Sequence, residues 1–333
     1  MHGWIILDKP LGLGSTQGVS AVKRALRTAG LGKAKVGHGG TLDPLATGVL
    51  PIAIGEATKL AGRMLDSDKA YDFTIRFGAE TDTLDAEGQV IAESAARPTL
   101  SDIEAVLRNF TGPIDQIPPA YSALKVDGER AYDLARAGET VTLATRRITV
   151  HALRILPELA RGGGPRPQGV VEGQRPNDPP AAAPLHQPAA GPPPGAGEGL
   201  EEITLTAHVS KGTYIRSLAR DIARALGTVG HVTMLRRTRA GPFGLEGAIS
   251  LDKLADAANA RALEDVILPL RAGLDDIPAL PLTPDQAGLL RQGRVLVGIA
   301  ADDGLCFAEL DKVPVALVEV SDGIVRVVRG FNL

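Results

Sequence analysis

Tyr71-Asp72-Phe73-Thr74-Ile75-Arg76-Phe77 alternates between apolar and polar side chains, one residue at a time. That period puts Tyr71, Phe73, Ile75 and Phe77 on one face and predicts a half-buried strand, with Tyr71 at its start on the inward side. Far downstream, Ile203-Thr204-Leu205-Thr206-Ala207-His208-Val209 reads as another strand. It runs through Ser210-Lys211-Gly212-Thr213 into a helix whose face is Ile215, Leu218, Ala219, Ile222 and Leu226, with Gly227 as its stop. Upstream, Trp4-Ile5-Ile6-Leu7 is a short apolar strand ended by Asp8-Lys9-Pro10. A helix capped by Ser15 or Thr16 follows, with Val19, Val22 and Leu26 inward, and Gly30 and Gly32 end it. Ser101–Phe110 reads as a further helix with Ser101 and Glu104 as its capping box. Strands and helices mix without regular βαβ units, so the fold class expected is α+β.

The 333 residues suffice for one large unit and one small one. After about Pro278 the pattern changes to short strands and turns, ending in Gly323-Ile324-Val325-Arg326-Val327-Val328-Arg329-Gly330. The division expected is a large domain over 1–276 and a small β-rich one over 277–333, which has to lean on the first for want of its own core. Residues 158–201 differ in kind. Eleven prolines fall between Pro157 and Pro194, with Gly-Gly-Gly at 162–164 and Pro-Pro-Pro at 192–194. Such a composition neither packs a core nor propagates strands, and reads as a disordered surface insertion between two strands, Arg147–Leu156 and Ile203–Val209.

A net charge of −3 argues against a polyanion partner until it is divided along the chain. Residues 1–65 hold eight Lys/Arg against three Asp/Glu, and residues 211–239 hold seven basic side chains against Asp221 alone. Local charge governs phosphate attraction, so two basic segments suit capture of a nucleic acid, or else are solvated faces. The single cysteine, Cys306, excludes an internal disulfide and any multi-cysteine metal site. Neither a secretory signal nor an apolar run of roughly 18 residues is present, which gives a cytoplasmic protein without a membrane partner as the expectation.

The most unusual stretch is Gly37-His38-Gly39-Gly40-Thr41-Leu42-Asp43-Pro44-Leu45-Ala46-Thr47-Gly48. Clustered glycines allow close backbone approach, and Pro44 favours an extended Asp43. A carboxylate fixed in this way suits catalysis, although Asp-Pro is also common in plain turns. A phosphate cradle fits poorly, because no Gly-Lys-Ser/Thr ending follows and the dinucleotide glycine pattern is absent. His38 has no second histidine at ligand spacing, so no metal site is expected.

This stretch resembles the signature of the bacterial tRNA pseudouridine-55 synthase family. The resemblance continues through Leu50–Lys59, Asp66–Tyr71, Gly78-Ala79-Glu80-Thr81-Asp82-Thr83, Gln116–Lys125 and Ser210–Arg216, and covers most of residues 3–245. It departs at Gly39, where many members carry a threonine, and in the length of the 158–201 insertion. It implies a catalytic domain built on a mixed or antiparallel sheet and a C-terminal PUA-like RNA-binding domain, clearest at Leu290-Arg291-Gln292-Gly293-Arg294-Val295. It implies that Asp43 is the essential aspartate, acting either as nucleophile at C1′ or as base at C2′. Arg216 would pair with it, Tyr71 would pack on the target base, and Leu235 would line the pocket. Tyr214 would shield the pair, Lys9 would stand on the active-site side, and His38 would help to hold the opened T-loop.

The reaction implied is the isomerisation of a uridine in the T-loop of tRNA, which is redox-neutral and needs no cofactor. The target base must be flipped out of a folded loop, so the backbone has to be anchored. Candidates for that are Lys23, Arg24, Lys33, Lys35, Lys211, Arg236 and Arg237, gripping the T-loop and T-stem, with no obligate protein partner. The competing readings are a pseudouridine synthase for another RNA and a non-catalytic RNA binder on the same scaffold. A glycoside hydrolase would need two opposed carboxylates.

Overall fold

A computed structural model of the chain describes residues 1–126, 128–156 and 199–333. The chain starts with β1 (Gly3–Lys9), α1 (Ser15–Thr28), β2 (Val36–His38), β3 (Thr47–Ile54), α2 (Ala61–Asp66) and β4 (Lys69–Phe77). A small hairpin, β5 (Ala79–Thr81) and β6 (Val90–Glu93), precedes α3 (Leu100–Leu107) and β7 (Gly112–Gln116). Short strands β8 (Lys125–Val126) and β9 (Glu129–Arg130) lead into α4 (Ala131–Arg136). Then come β10 (Arg146–Ile155), β11 (Glu202–Val209), α5 (Ile215–Ala225), β12 (Gly230–Ala240), β13 (Phe243–Gly244), α6 (Leu251–Asn259) and β14 (Leu268–Pro269). The C-terminal part contains β15 (Ala279–Pro281), α7 (Pro284–Arg291), β16 (Leu296–Val297), β17 (Gly304–Leu310), β18 (Val313–Ser321) and β19 (Ile324–Gly330).

The main sheet has the order β14-β1-β3-β12-β4-β11-β10-β7, with β2 on β3 and β13 on β12. Its pairings are antiparallel except between β12 and β3, which meet in parallel over Arg236↔Thr47 and Arg237↔Gly48. At this seam the chain comes too close for any side chain at Gly48. Its φ is +96°, and a β-carbon there would lie 2.2 Å from the Arg237 carbonyl oxygen. The architecture is the α+β mixed sheet expected, followed by a β-rich C-terminal part in the order β15-β17-β18-β19-β16.

The alternation along β4 sends Phe73, Ile75 and Phe77 into the principal core, where Val22 and Leu26 of α1 and Leu218 and Ile222 of α5 meet them. Thr74, on the polar face, is buried as well, and its hydroxyl lies 2.8 Å from that of Thr204 on β11. β1 is covered on both sides: Ile5 and Leu7 join the principal core, while Trp4 and Ile6 enter a second cluster. Phe307, Leu317 and Phe331 of the C-terminal part complete that second cluster, so the small sheet packs on the large one through it.

Several local expectations need correction. α1 begins after Gly14, whose N–H is taken by the Gln17 side chain at 2.7 Å, and the Ser15 hydroxyl bonds to Leu42 instead of capping the helix. α3 is capped by Thr99 with Asp102, two residues ahead of the expected box, because Thr99 Oγ1 accepts the Asp102 N–H and Asp102 returns the bond to Thr99 N–H. The C-terminal part is not strands alone, since Thr283, Pro284 and Gln286 start α7 in a capping box. The fragment Leu290–Val295 is the end of that helix and its Gly293 turn.

Most of the insertion expected over 158–201 lies outside the described residues. Its last three residues are ordered. Leu200 donates its N–H to Pro98 O at 2.9 Å, and Glu201 pairs with Arg97 at 2.9 Å. The flanking β10 and β11 are antiparallel neighbours, paired from Val150↔Val209 to Ile155↔Leu205 with a bulge between Val150 and Ala152.

Candidate active site

Asp43 sits on the loop between β2 and β3, and buried side chains hold the backbone around it. Ser15 Oγ accepts the Leu42 N–H at 2.8 Å and donates to the Leu42 carbonyl at 3.0 Å. Arg237, 1% exposed, donates to Gly40 O at 3.1 Å, Thr41 O at 3.3 Å and Val49 O at 2.7 Å. Lys9, fully buried, donates to Leu13 O at 2.6 Å, Pro10 O at 3.1 Å and Pro44 O at 3.2 Å. Gly39 runs close over α2, where a β-carbon would lie 2.6 Å from Cβ of Met64.

Arg216 comes from the first turn of α5. That helix start is fixed by Gln116, buried at the end of β7, whose amide accepts the Tyr214 N–H at 2.9 Å and donates to Tyr214 O at 3.2 Å. One guanidinium nitrogen, Nη2, reaches Asp43 Oδ2 at 2.9 Å and Tyr121 O at 3.0 Å. The other, Nη1, reaches Thr83 O at 2.8 Å and Asp85 Oδ2 at 3.2 Å. The Asp85 side chain is 4% exposed, and its Oδ1 accepts from Thr83 Oγ1 at 2.5 Å and Glu87 N–H at 3.1 Å. Asp43 keeps 42% of its side chain open, so this one guanidinium joins a buried carboxylate to an accessible one.

Asp43 and Arg216 line a cavity of about 300 Å³ together with Tyr71, Tyr214 and Leu235. A second cavity of about 300 Å³, lined by Tyr121, Tyr132, Arg130 and Arg136, shares Asp43 and Arg216 with the first. The ion pair therefore borders both. Larger clefts of about 510 Å³ between α1 and α6 and about 870 Å³ beside the C-terminal sheet contain none of Asp43, Tyr71 and Arg216. Volume does not choose the site here; convergent polar chemistry does. Burial raises the Tyr214 phenol pKa above the ordinary tyrosine value. Tyr71 lies in register with Ala207 on β11 and Arg237 on β12.

The structure brings Asp43, Tyr71, Tyr214, Arg216 and Leu235 to one cavity, which Arg237 also borders, while Lys9 and His38 do not line it. Lys9 lies beneath the loop with its ammonium engaged by three carbonyls, so it offers no face to a substrate. Arg237, expected among the backbone anchors, borders the cavity but is only 1% exposed, and its three nitrogens are turned to the carbonyls of Gly40, Thr41 and Val49, so it presents no accessible face to a phosphate. His38, at the end of β2, does not line the cavity. Its Nδ1 is buried and has no hydrogen bond among the described residues, and burial followed by the field of Arg237 lowers its pKa. Lys23, Arg24, Lys33 and Lys35 are exposed. Lys211 is exposed but meets Asp66 at 3.0 Å, and Arg236 grips Asp8 at 2.8 and 3.0 Å. Asp85 and Gln116 carry no role in the sequence reading, and Ser15 figures there only as a helix cap. The family-like stretch Gly78–Thr83 stops just short of Asp85, and Gln116 opens the stretch Gln116–Lys125 with nothing local to mark its role.

The chain matches the family described as TruB family pseudouridylate synthase (N terminal domain) over residues 24–160, and the tRNA pseudouridylate synthase B C-terminal domain over 216–275. It is 61% identical over 333 residues to the tRNA pseudouridine synthase B of Novosphingobium aromaticivorans, covering 100% of this chain and 98% of the relative. It is 54% identical over 332 residues to the protein of the same name from Zymomonas mobilis, covering 100% and 96%. Among solved structures, a chain of an H/ACA RNP bound to a substrate RNA containing 2′-deoxyuridine shares the fold. That TM-score is 0.65 at 24% identity, over 99% of this chain and 85% of the other. No helix among the described residues is long and apolar enough to cross a membrane.

Proposed function

The chain belongs to the TruB family of pseudouridylate synthases, and from that premise we propose that Asp43 is the carboxylate through which it isomerises uridine 55 in the T-loop of tRNA. By its kinship it is a tRNA pseudouridine synthase, an intramolecular isomerase. The reaction breaks N1–C1′, rotates the uracil, joins C5 to C1′, and moves the C5 proton away while N1 gains one. Atoms and electrons balance within the substrate and its protons, so the scheme calls for no cofactor.

The observation that carries this reading is the 2.9 Å contact between Asp43 Oδ2 and Arg216 Nη2 at a cavity lined by Tyr71 and Leu235. An opposite charge at that distance favours the ionised carboxylate, the form that either attack at C1′ or abstraction at C2′ demands. Arg216 engages Oδ2 and leaves much of the carboxylate open to a ribose. Tyr71 supplies a π-face for the detached uracil and a phenol for the neighbourhood of C5. Tyr214 and Leu235 exclude water from the same space.

A base in a folded loop reaches this cavity only by extrusion, with the flanking phosphates held. The exposed Lys23, Arg24, Lys33 and Lys35, with Lys211 and Arg236 once their carboxylate partners yield, are the anchors assigned to the T-loop and T-stem. Residues 1–276 form the catalytic domain in this reading and residues 277–333 a PUA-like RNA-binding domain. The enzyme works in the cytoplasm and without an obligate protein partner.

Incubation with unmodified tRNA, followed by mapping of pseudouridine, tests the proposal. One pseudouridine in the T-loop is expected, and none from Asp43→Asn, which keeps RNA binding within a few fold. Pseudouridine elsewhere would overturn the substrate, and normal turnover by Asp43→Asn would overturn the carboxylate.

A further inference from the structure

We propose that Arg237 and Ser15 are positioning residues that set the aim of Asp43, and that Arg237 takes no part in gripping RNA. The inference rests on Asp43 being the catalytic carboxylate.

The backbone next to Asp43 is held on both sides. Arg237 takes the carbonyls of Gly40 and Thr41, Ser15 takes both polar groups of Leu42, and Lys9 with the Gly12 N–H takes the carbonyl of Pro44. The carbonyl of Asp43 itself accepts from Ala46 N–H at 3.1 Å. The chain thus fixes the Cα–Cβ direction and leaves the carboxylate only its own side-chain torsions, which Arg216 then limits.

A buried guanidinium is costly unless its donors are satisfied, and none of the Arg237 contacts described is to a carboxylate. Its planar fork spreads three nitrogens over Val49, Gly40 and Thr41, a span that a single ammonium cannot cover. The loop is cut to fit it. Gly40 has φ +132° with its missing β-carbon directed 3.5 Å from Arg237 Nη1, and Gly48 has φ +96° under the Arg237 backbone. The adjacent Arg236 is the contrast. It is 35% exposed and tied to an exchangeable surface carboxylate, Asp8. A phosphate can reach Arg236. It cannot reach Arg237.

Single-turnover rates at saturating enzyme, tRNA affinity across salt concentrations and hydrogen exchange at Leu42, measured on Arg237→Lys and Ser15→Ala, test the assignment. Arg237→Lys is expected to lose on the order of 10²-fold in rate, as a misaimed group does, with affinity and its salt dependence unchanged. Ser15→Ala is expected to lose less, to exchange the Leu42 amide faster, and to combine with Arg237→Lys less than multiplicatively, since both hold one loop. A purely structural role would lower melting temperature and leave the rate of the folded enzyme normal. A normal saturating rate for Arg237→Lys, or weaker binding with a salt dependence shallower by about one contact, would overturn the proposal. If Arg237→Lys does not fold, Ser15→Ala decides, and a normal rate with normal Leu42 protection sinks the clamp. Turnover by Asp43→Asn would instead remove the premise, an outcome separable from every one of these.

Discussion

Arg216 spans Asp43 and Asp85 with separate nitrogens, at 2.9 Å and 3.2 Å, while each of those nitrogens also donates to a backbone carbonyl, Tyr121 O and Thr83 O. The buried Asp85 offsets much of the guanidinium charge and locks its plane. Arg216 therefore meets Asp43 as an oriented donor rather than as a mobile point charge. That geometry makes the pair testable by changes that keep charge and alter shape.

Arg216→Lys retains the cation but cannot hold two carboxylates and two carbonyls together. Turnover is expected to fall on the order of 10²-fold with tRNA binding near normal. Were Arg216 a phosphate contact, lysine would serve almost as well, and Arg216→Ala would instead weaken binding with a shallower salt dependence. Single-turnover kinetics beside equilibrium binding separates the two.

Deletion of residues 162–197 is expected to leave soluble yield, melting temperature and tRNA modification close to those of the full chain. β10 and β11 already pair up to Ile155↔Leu205, with Leu156 N–H bonded to Thr204 O at 2.9 Å, so a short connection closes the same hairpin. Loop length itself costs little free energy. Retaining Gly199–Glu201 matters, because Leu200 and Glu201 have their own partners. A large fall in turnover with the fold intact would give the insertion a part in RNA capture.

What the sequence made legible was local. The period along β4, the unbroken apolar run of β1 and the Gly/Pro frame of Asp43 each act over a few residues, and each is present in the fold. The α7 start was equally local, written in Thr283-Pro284-Asp285-Gln286, and was passed over. Lys9 and Arg237 could not be read correctly in this way. Composition assigns cations to the surface, and only carbonyls brought from distant segments make their burial tolerable. Thr74 is similar, since its partner Thr204 stands 130 residues away. Asp85 is an ordinary turn aspartate until Arg216, from a different element, arrives beside it.

The buried lysines predict a pH signature. Burial lowers Lys9 from 10.5 to about 8, with Asp43 partly opposing and Arg237 assisting, and burial likewise lowers Lys69 to about 8. Between about pH 8 and 10.5 the unfolded chain holds these protons and the folded chain has released them. Stability contributed by the two groups therefore rises with pH across that window, and is flat below it, where both states are protonated. Urea unfolding of the wild type and of Lys69→Met at several pH values up to about 9.5, short of ordinary tyrosine titration, should show a shallower rise in the variant. Identical slopes would mean that Lys69 stays charged when folded, held by Leu65 and Ser67 carbonyls.

Asp85→Asn tests whether the buried carboxylate works through Arg216. Asparagine keeps an acceptor for Thr83 Oγ1 and the Glu87 N–H but removes the charge facing Nη1. The guanidinium is then left with Asp43 as its sole counter-ion among the carboxylates described within reach, and its plane is no longer fixed from behind. Stability is expected to fall by about 1–3 kcal/mol, the range for weakening a buried, charge-assisted contact. Turnover at saturating enzyme is expected to drop by at least roughly tenfold, as misoriented catalytic groups do, while tRNA affinity holds. If the loss runs through Arg216, then Asp85→Asn added to Arg216→Lys costs far less than it does alone, because the element it orients is already gone. Full additivity of the two changes, or a stability loss without any loss of rate, would make Asp85 a support of the fold and leave Arg216 to orient Asp43 unaided.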